Sequence, residues 1–421
     1  MKYVDKSKKY FLNTGNRFPR EVIWAIGLIK YAAAWANKKL GVLDSKIADI
    51  IMDISLEIAQ GKYDEHIEVD VYGTGSGTGL NMNINELISM IAEKKYGVHI
   101  HPNDHVNLSQ SSNDVVPTAI RLATLKLVND KLLTSMDGLI KILNKFIQRY
   151  GDVTKAGRTH LRDALPITFG LEFGGYLEQY RHYKKVIKSI SKLLCIIPIG
   201  GTAVGTGFGA PPKYDIVVTE KLKELTDFDL KLDRNKTRSM KLLTDFILLS
   251  SVIKCIAIDT WKLAQDLRLM YSGPNTGLNE IDLDIDIIGS SMMPGKKNPV
   301  TLEAVIQACS RIIGLDSANS YSSLFGEFEL ALSFPVIIHS ITEQINLMAE
   351  ALDKMASVVM PSLKINIKRA EQYAHNSLAL VTALRSKIGY EEAAKVVEEI
   401  LEGKNLKDVL EKYGISMEDL M

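Results

Sequence analysis

The chain has 421 residues, 46% of them hydrophobic, enough for a large core and more length than one compact core usually absorbs. Its 51 basic and 50 acidic residues leave a formal net charge of +1, which argues against a nucleic-acid or acidic-membrane partner, so any charge selectivity must be local to a pocket. No run of about 18 apolar residues is present to span a membrane, and the opening MKYVDKSKKYF lacks the apolar segment of a signal peptide, so a cytoplasmic location is expected.

In chain order, residues 1–111 read as a smaller, mostly helical domain, interrupted by the glycine-rich GTGSGTG at 73–79 and by a polar segment at 101–114. Helical periodicity then runs over roughly 117–150, 169–197, 241–271, 300–324 and 334–373. In the third stretch Leu242, Phe246, Leu249, Ile253, Ile256, Leu263, Leu267 and Met270 recur at steps of three, four or seven and so share one face. A helix of about 30 residues is about 45 Å long, which suits side-by-side packing in an elongated bundle. Five such segments predict a central five-helix bundle domain over 112–360. Ser111, Ser112, Asn113 and Asp114 ahead of Pro117 mark a helix start, with capping side chains first and a proline in the first turn. Lys296, Asn298 and Pro299 similarly precede the fourth helix, and 197–212 and 289–299 read as loops rich in glycine and proline. A short helical domain over 361–421, containing YEEAAKVVEEILEGKN, comes last. The expected fold class is all-α, three domains around the long bundle. Cys195, Cys255 and Cys309, far apart and in apolar, helical-looking stretches, read as reduced buried thiols.

Four polar loops carry the candidate chemistry. In GTGSGTGLNMN the glycines let backbone amides approach an anion, and Ser76, Thr78, Asn81 and Asn83 offer side-chain donors. No Lys-Ser or Lys-Thr closes the run, so it is not a nucleotide-binding P-loop, and a plain flexible turn is the alternative. In HPNDHVNLSQSSND, His99, His101 and His105 lack the convergent Cys or Glu partners of a zinc site, so no metal is expected. Ser111, Ser112 and Asn113 can cap a helix, hold a carboxylate at its N-terminus, or do both. In GRTHLRDALP, His160 stands in a loop before a helix; it suits proton transfer near neutrality, and a satisfied structural histidine is the alternative. GTAVGTGFGA at 201–210 loosely fits a dinucleotide pattern but follows a helix rather than a strand, which excludes that reading. GSSMMPGKKNP at 289–299 is the most informative. Lys296 can neutralise a carboxylate and Asn298 can hydrogen-bond one. Ser290 or Ser291 could act on a proton if loop amides and Lys296 stabilise the alkoxide, because an ordinary serine hydroxyl is too weak a base.

Together these loops resemble the fumarase/aspartase superfamily and, within it, the class II fumarases. The superfamily pattern GSSxMPxKxN is matched by Gly289-Ser290-Ser291-Met292-Met293-Pro294-Gly295-Lys296-Lys297-Asn298. GTGSGTGLNMN, HPNDHVN, SQSSND, GRTHLRDA (with histidine where aspartases usually have glutamine) and NSLALVTAL at 376–384 are similar to the fumarase versions, and the likeness covers nearly the whole chain. It implies reversible hydration of fumarate to L-malate through an aci-carboxylate carbanion, in the tricarboxylic acid cycle, with no metal and no cofactor. It implies that Ser290 takes the C3 proton of malate, and that His160 serves the acid side through a bound water with Glu303 as its carboxylate partner. By the same likeness Ser76, Gly77, Thr78, Ser111, Ser112, Asn113, Thr159, Ser291, Lys296, Lys297 and Asn298 hold the substrate carboxylates. His101, Pro102, Asn103 and Asp104 match a secondary dicarboxylate site. A homotetramer with each active site drawn from three chains is implied as well. An aspartate ammonia-lyase or an argininosuccinate-type lyase is the near alternative, opposed by His160 and the GTGSGTGLNMN loop; an inactive structural relative is opposed by the intact Ser290, Lys296, Asn298, His160 and Glu303. The chain departs from the common pattern at Lys297 (usually valine), Arg162 and Leu171 (often glutamine), and Glu327 and Ala331 (often histidine and asparagine), and its C-terminal region is shorter by roughly a helix.

Overall fold

A computed structural model describes residues 2–284 and 287–414, and 67% of the described residues are helical. The helices of the first half are α1 (Lys2–Tyr10), α2 (Arg20–Lys39), α3 (Ser45–Ala59), α4 (Thr78–Tyr96), α5 (Ser112–Leu127), α6 (Leu133–Tyr150) and α7 (Phe169–Leu194), with a hairpin of β1 (Thr154–Thr159) and β2 (Arg162–Thr168) before α7. Then come α8 (Tyr214–Thr226), α9 (Lys236–Lys241), α10 (Thr244–Tyr271), α11 (Val300–Ser322), α12 (Phe334–Lys354), α13 (Met360–Ser362), α14 (Ile367–Asn376), α15 (Val381–Ile388), α16 (Tyr390–Leu401) and α17 (Leu406–Lys412).

The long periodic stretches are the long helices, with informative differences at their ends. The stretch expected from 117 starts at Ser112, so Pro117 is the sixth helical residue rather than part of the first turn. The Ser111–Asp114 capping box makes that start without help from the proline. A π-helical turn over Val128–Leu132 separates α5 from α6. The stretch expected to reach 373 stops at Ser362, where Leu363–Ile365 turns into a strand antiparallel to Ile281–Leu283. Asn366 then caps α14 by accepting the Arg369 amide, so 367–376 is a separate helix. On α10, Phe246, Leu249, Ile253, Ile256, Leu263, Leu267 and Met270 are all buried, whereas Leu242 lies outside the helix and is half exposed. The expectation of three buried thiols fails at Cys255, which is exposed; Cys195 is half-buried and Cys309 buried. Apolar neighbours in sequence did not reveal that position 255 falls on the outward side of α10.

The contacts gather the chain into two compact units. The first comprises Met1–Thr134, Tyr183–Ile258 and Ala308–Ala349. In it α2 is buried on most of its circumference and packs on α3, α5 and α8. Gly27 is the crossing point with α3: a Cβ there would lie 2.8 Å from the Ser55 carbonyl oxygen and 2.8 Å from the Ala59 nitrogen. Polar links brace the helices. Arg121, fully buried, donates to Asp245 at 2.7 Å and to the Pro117 carbonyl at 3.1 Å, with its guanidinium over the Phe246 ring. Asp316 accepts from Ser250 at 2.8 Å, and Asn319 donates to Ser250 at 3.0 Å.

The second unit comprises Ser135–His182, Asp259–Gln307 and Glu350–Met421. Phe146, Phe169 and Phe173 cluster with tilted and edge-on rings, the Phe146 and Phe173 centroids 4.4 Å apart. Buried Lys155 pairs with Glu172 at 2.7 Å, and Arg158 donates to both oxygens of fully buried Glu280 at 3.0 Å. A satellite core of Val381, Leu384, Ala393, Val396, Val409 and Leu410 joins α15, α16 and α17.

Breaking one partner of a buried ion pair leaves the other charge stranded, at a cost of about 3–5 kcal/mol. Asp245→Ala should lower the chemical-denaturation midpoint by about that amount of stability, and the double replacement Arg121→Met, Asp245→Leu should recover most of it.

Candidate active site

In the first unit, α4 and α5 begin beside one another, and glycines bring them there. A Cβ at Gly75 would lie 2.0 Å from the Leu332 carbonyl oxygen, and Gly75 itself accepts the Phe334 amide at 3.1 Å. Gly77, at φ +75°, lies against α5, where a Cβ would meet Val116 Cγ1 at 2.7 Å. The turn between them holds Ser76 Oγ 2.8 Å from Thr78 Oγ1, and Thr74 Oγ1 accepts the Gly79 amide at 2.8 Å. At the start of α5, Ser111 Oγ accepts the Asn113 amide at 3.2 Å and Asp114 accepts the Ser111 amide at 2.9 Å. Asn81 donates to Ser112 Oγ at 3.3 Å. Ser76, Gly77, Thr78, Ser111, Ser112 and Asn113 are therefore brought together at two helix N-termini, where free amides and the helix dipoles favour an anion.

The asparagines of α4 do not serve as expected. Asn83 is fully buried, accepting the Glu68 amide and donating to the His66 carbonyl, because the helical turn carries it to the inner face. Asn81, also buried, divides its amide between Ser112 and Asn107. The group that sequence reasoning passed over is Lys30, fully buried on α2, whose Nζ donates to Asn107 Oδ1 at 2.9 Å and Gln110 Oε1 at 3.0 Å. Its only signal in the sequence is a lone cation inside IWAIGLIKYAAAWA. Burial pulls the Lys30 amine down to about 7, partly offset by the charge of Asp114. Burial likewise pushes the Asp114 carboxyl up to about 6, against three backbone amides that favour its anion, those of Ser111, Thr202 and Gly200. His101, Asn103 and Asp104 are exposed at the start of a π-helical turn over Pro102–Val106, which His101 caps by accepting the Asp104 amide on Nδ1 at 3.1 Å. Among the described residues no hydrogen bond joins His101, Pro102, Asn103 or Asp104 to the Ser76 or Ser111 turns.

In the second unit His160 is at the tip of the β1–β2 hairpin, not in a loop leading into a helix. The pairing closes at Thr159 and Arg162, and His160 and Leu161 stand at φ 54° and 58°, the two-residue turn that suits strand twist. Strands of six and seven residues with a bulge at Ala156/Gly157 leave too irregular an alternation to read from sequence. Non-glycine residues at positive φ cost about 1–3 kcal/mol each and concentrate at functional positions. Thr159 and His160, both exposed, line a cavity of about 880 Å³ with Lys155, Arg158, Asp163 and Asp266.

The 289–299 loop closes on its own neck. A Cβ at Gly289 would lie 2.5 Å from the Lys296 carbonyl oxygen and 2.6 Å from the Asn298 nitrogen, and Asn298 Nδ2 donates to the Gly289 carbonyl. Within the loop Ser290 Oγ accepts the amides of Met292 at 3.3 Å and Met293 at 3.0 Å. Ser291, Lys296 and Lys297 are exposed, and neither lysine has an ion-pair partner among the described residues. Lys296, Lys297 and Asn298 line a second cavity of about 900 Å³ with Arg268, Tyr271 and Lys364, and the Tyr271 hydroxyl donates to the Lys297 carbonyl at 3.1 Å. Glu303, in the first turn of α11, lies 3.8 Å from Arg268. Among the described residues no hydrogen bond links it to His160 within the chain.

Known proteins are similar to this chain in both sequence and architecture. A family model described as lyase matches residues 1–314. A class II fumarate hydratase of Saccharolobus solfataricus is 44% identical over 418 residues, 99% of this chain and 95% of that protein. The crystal structure of a class II fumarase from Schistosoma mansoni has a TM-score of 0.94 at 32% identity, covering 99% of this chain and 92% of its own. That of a fumarate lyase:delta crystallin from Brucella melitensis has a TM-score of 0.93 at 33% identity, covering 99% and 93%. The all-α architecture is theirs.

The neck of the 289–299 loop is a single side-chain bond plus one glycine contact. Asn298→Ala should open it, and trypsin should then cut after Lys296 or Lys297 several-fold faster, with the melting temperature nearly unchanged.

Proposed function

The chain belongs to the lyase family and, within it, to the class II fumarate hydratases, and from that premise we propose how its residues carry the reaction. The protein is a hydro-lyase of the tricarboxylic acid cycle that interconverts fumarate and L-malate. In the malate-to-fumarate direction Ser290 Oγ, as alkoxide, takes the C3 proton. The C–H electron pair moves onto the adjacent carboxylate, giving an aci-carboxylate with one more negative charge. That pair then returns to form the C2–C3 double bond as the C2 hydroxyl leaves, protonated through a water held by His160, so the products are fumarate and water. The reverse sequence hydrates fumarate.

The observation that carries this reading is the pair of backbone amides, Met292 and Met293, on Ser290 Oγ. A serine hydroxyl becomes a usable base only where its anion is stabilised, and preorganised amides do this without reorganising during the reaction. Lys296, on the same loop and unpaired among the described residues, supplies the full positive charge that the aci-carboxylate requires, with Asn298, Ser291 and Lys297 as further contacts. Thr159 and the turns carrying Ser76, Thr78, Ser111, Ser112 and Asn113 hold the carboxylates. Glu303 meets its histidine across subunits in a homotetramer whose sites are each built from three chains. Exposed Leu171, Leu248, Ile258 and Leu269 on long helices support such burial against other copies. The exposed His101–Asp104 turn takes a second, weaker dicarboxylate, and the three free thiols suit the cytoplasm.

Purified protein added to L-malate should raise ultraviolet absorbance from fumarate, and should not do so with L-aspartate or argininosuccinate; product from either of those would reassign the substrate. Ser290→Ala should lower kcat at least ~100-fold, and His160→Asn at least ~10-fold, with both proteins still folded. Near-normal turnover in either variant removes that residue from its role.

A further inference from the structure

Lys30 is an amine wholly withdrawn from water, and a buried ammonium group is ordinarily matched by a carboxylate. Its hydrogen bonds go instead to two neutral side-chain carbonyls, Asn107 Oδ1 and Gln110 Oε1. Asp114, the acid that acts on it through space, has its oxygens engaged by the amides of Ser111, Gly200 and Thr202. Asn107 Oδ1 also accepts from Asn81, and Asn81 donates onward to Ser112 Oγ. The relay runs from a core lysine to the first residue of α5. Asn85 also donates to Asn107 Oδ1, and Asn81 Oδ1 and Asn85 Oδ1, both on buried residues, have no hydrogen-bond partner among the described residues, so the network is polar beyond what its internal bonds use.

We propose that Lys30 is a positioning residue for the substrate: through Asn107 and Asn81 it sets the Ser112 hydroxyl, and its charge favours a carboxylate at the paired starts of α4 and α5. The inference rests on the reading that those two starts receive a carboxylate. Two helix N-termini contribute partial charges only, and their effect fades within a turn. An ammonium charge shielded from water acts over a longer range and is weakly screened by salt, and an anion bound nearby favours that charged form over the neutral amine that burial promotes. The unfavourable burial of the lysine is then offset when the anion binds.

The test uses the full-length enzyme, with succinate, an unreactive dicarboxylate, as the competitive probe. Lys30→Met removes the charge and keeps most of the volume. It should raise KM for malate and Ki for succinate about tenfold, equal to about 1.4 kcal/mol, with kcat within about threefold and the fold intact. Ser112→Ala, run beside it, should raise the same two constants. If Ser112→Ala raises them and Lys30→Met leaves them within twofold, the lysine proposal fails and the carboxylate reading stands. If neither moves them, the carboxylate reading fails and takes the lysine proposal with it. A joint fall of kcat and melting temperature with unchanged Ki makes Lys30 merely structural and overturns the proposal. Should Lys30→Met not fold, Asn107→Ala cuts the relay while keeping the charge, and a Ki for succinate unchanged in that variant overturns the positioning role.

Discussion

A carboxylate removed from water must find hydrogen bonds, and the way Asp114 finds them organises the first unit. One oxygen accepts the Ser111 amide and completes the capping box of α5; the other accepts the amides of Gly200 and Thr202. A single side chain thus fixes where α5 begins and where the 198–210 loop turns. Asn113 adds a bond to the Ala203 carbonyl at 2.9 Å. The glycine-rich 201–210 stretch has its own structural purpose in this arrangement: Gly205, at φ +91°, passes within 2.7 Å of the Thr237 nitrogen measured from a would-be Cβ, so only glycine fits. The desolvation of Asp114 is large enough to leave its carboxyl above the usual range despite three amide donors, so loss of any donor would be felt by the whole assembly.

The candidate chemistry depends on close backbone approach as much as on side chains. Gly75 against Leu332, Gly77 against Val116 and Gly289 against Lys296 and Asn298 each place a polar turn at a distance that a Cβ would forbid. Next to each glycine stands a hydroxyl or an amide aimed by the backbone itself, as in the Ser76–Thr78 pair and in Ser290 with its two amides. Donors held by backbone are preorganised, and preorganisation is what separates a stabilised alkoxide from an ordinary serine.

Much of this was legible in the sequence, and the failures have physical causes. The 3.6-residue rhythm of Phe246 to Met270 reported a buried helical face, because burial of that face is what makes the rhythm. The capping residues at 111–114 reported a helix start for a similarly local reason. Leu242 and Cys255 were misplaced because an apolar letter does not state its side of a helix near an end or among apolar neighbours. The hairpin around His160 escaped because a bulge and two left-handed residues, neither of them glycine, carry none of the usual turn spelling. The four polar loops were readable as loops. Which of their groups share a neighbourhood was not, since that depends on contacts such as Gly77 with Val116 and Asn81 with Ser112 that link distant segments. Lys30 was invisible because its partners are neutral amides 77 and 80 residues away.

The groups assigned to binding and those assigned to proton transfer differ in physical state, and the proposed reaction requires that difference. Around Ser76 and Ser112 the polar atoms are partly buried and largely bonded to one another, and the nearby cation is in the core. In the proposed reaction such a site meets a carboxylate that is already charged in the substrate, so it contributes nearly equally before and during reaction and sets affinity. On the 289–299 loop, Lys296 is exposed and unpaired among the described residues, and the Ser290 amides bond only a neutral hydroxyl. These groups gain most when charge appears, on the alkoxide and then on the aci-carboxylate, so their effect falls on the rate. Both sets are held in place before charge develops, the loop by its glycine contact and asparagine bond and the helix start by Asp114. In the proposed reaction, donors already bonded to one another stand where charge is constant, and an unpaired lysine and two backbone amides stand where it develops, so scattered, mostly neutral residues can sustain carbanion chemistry.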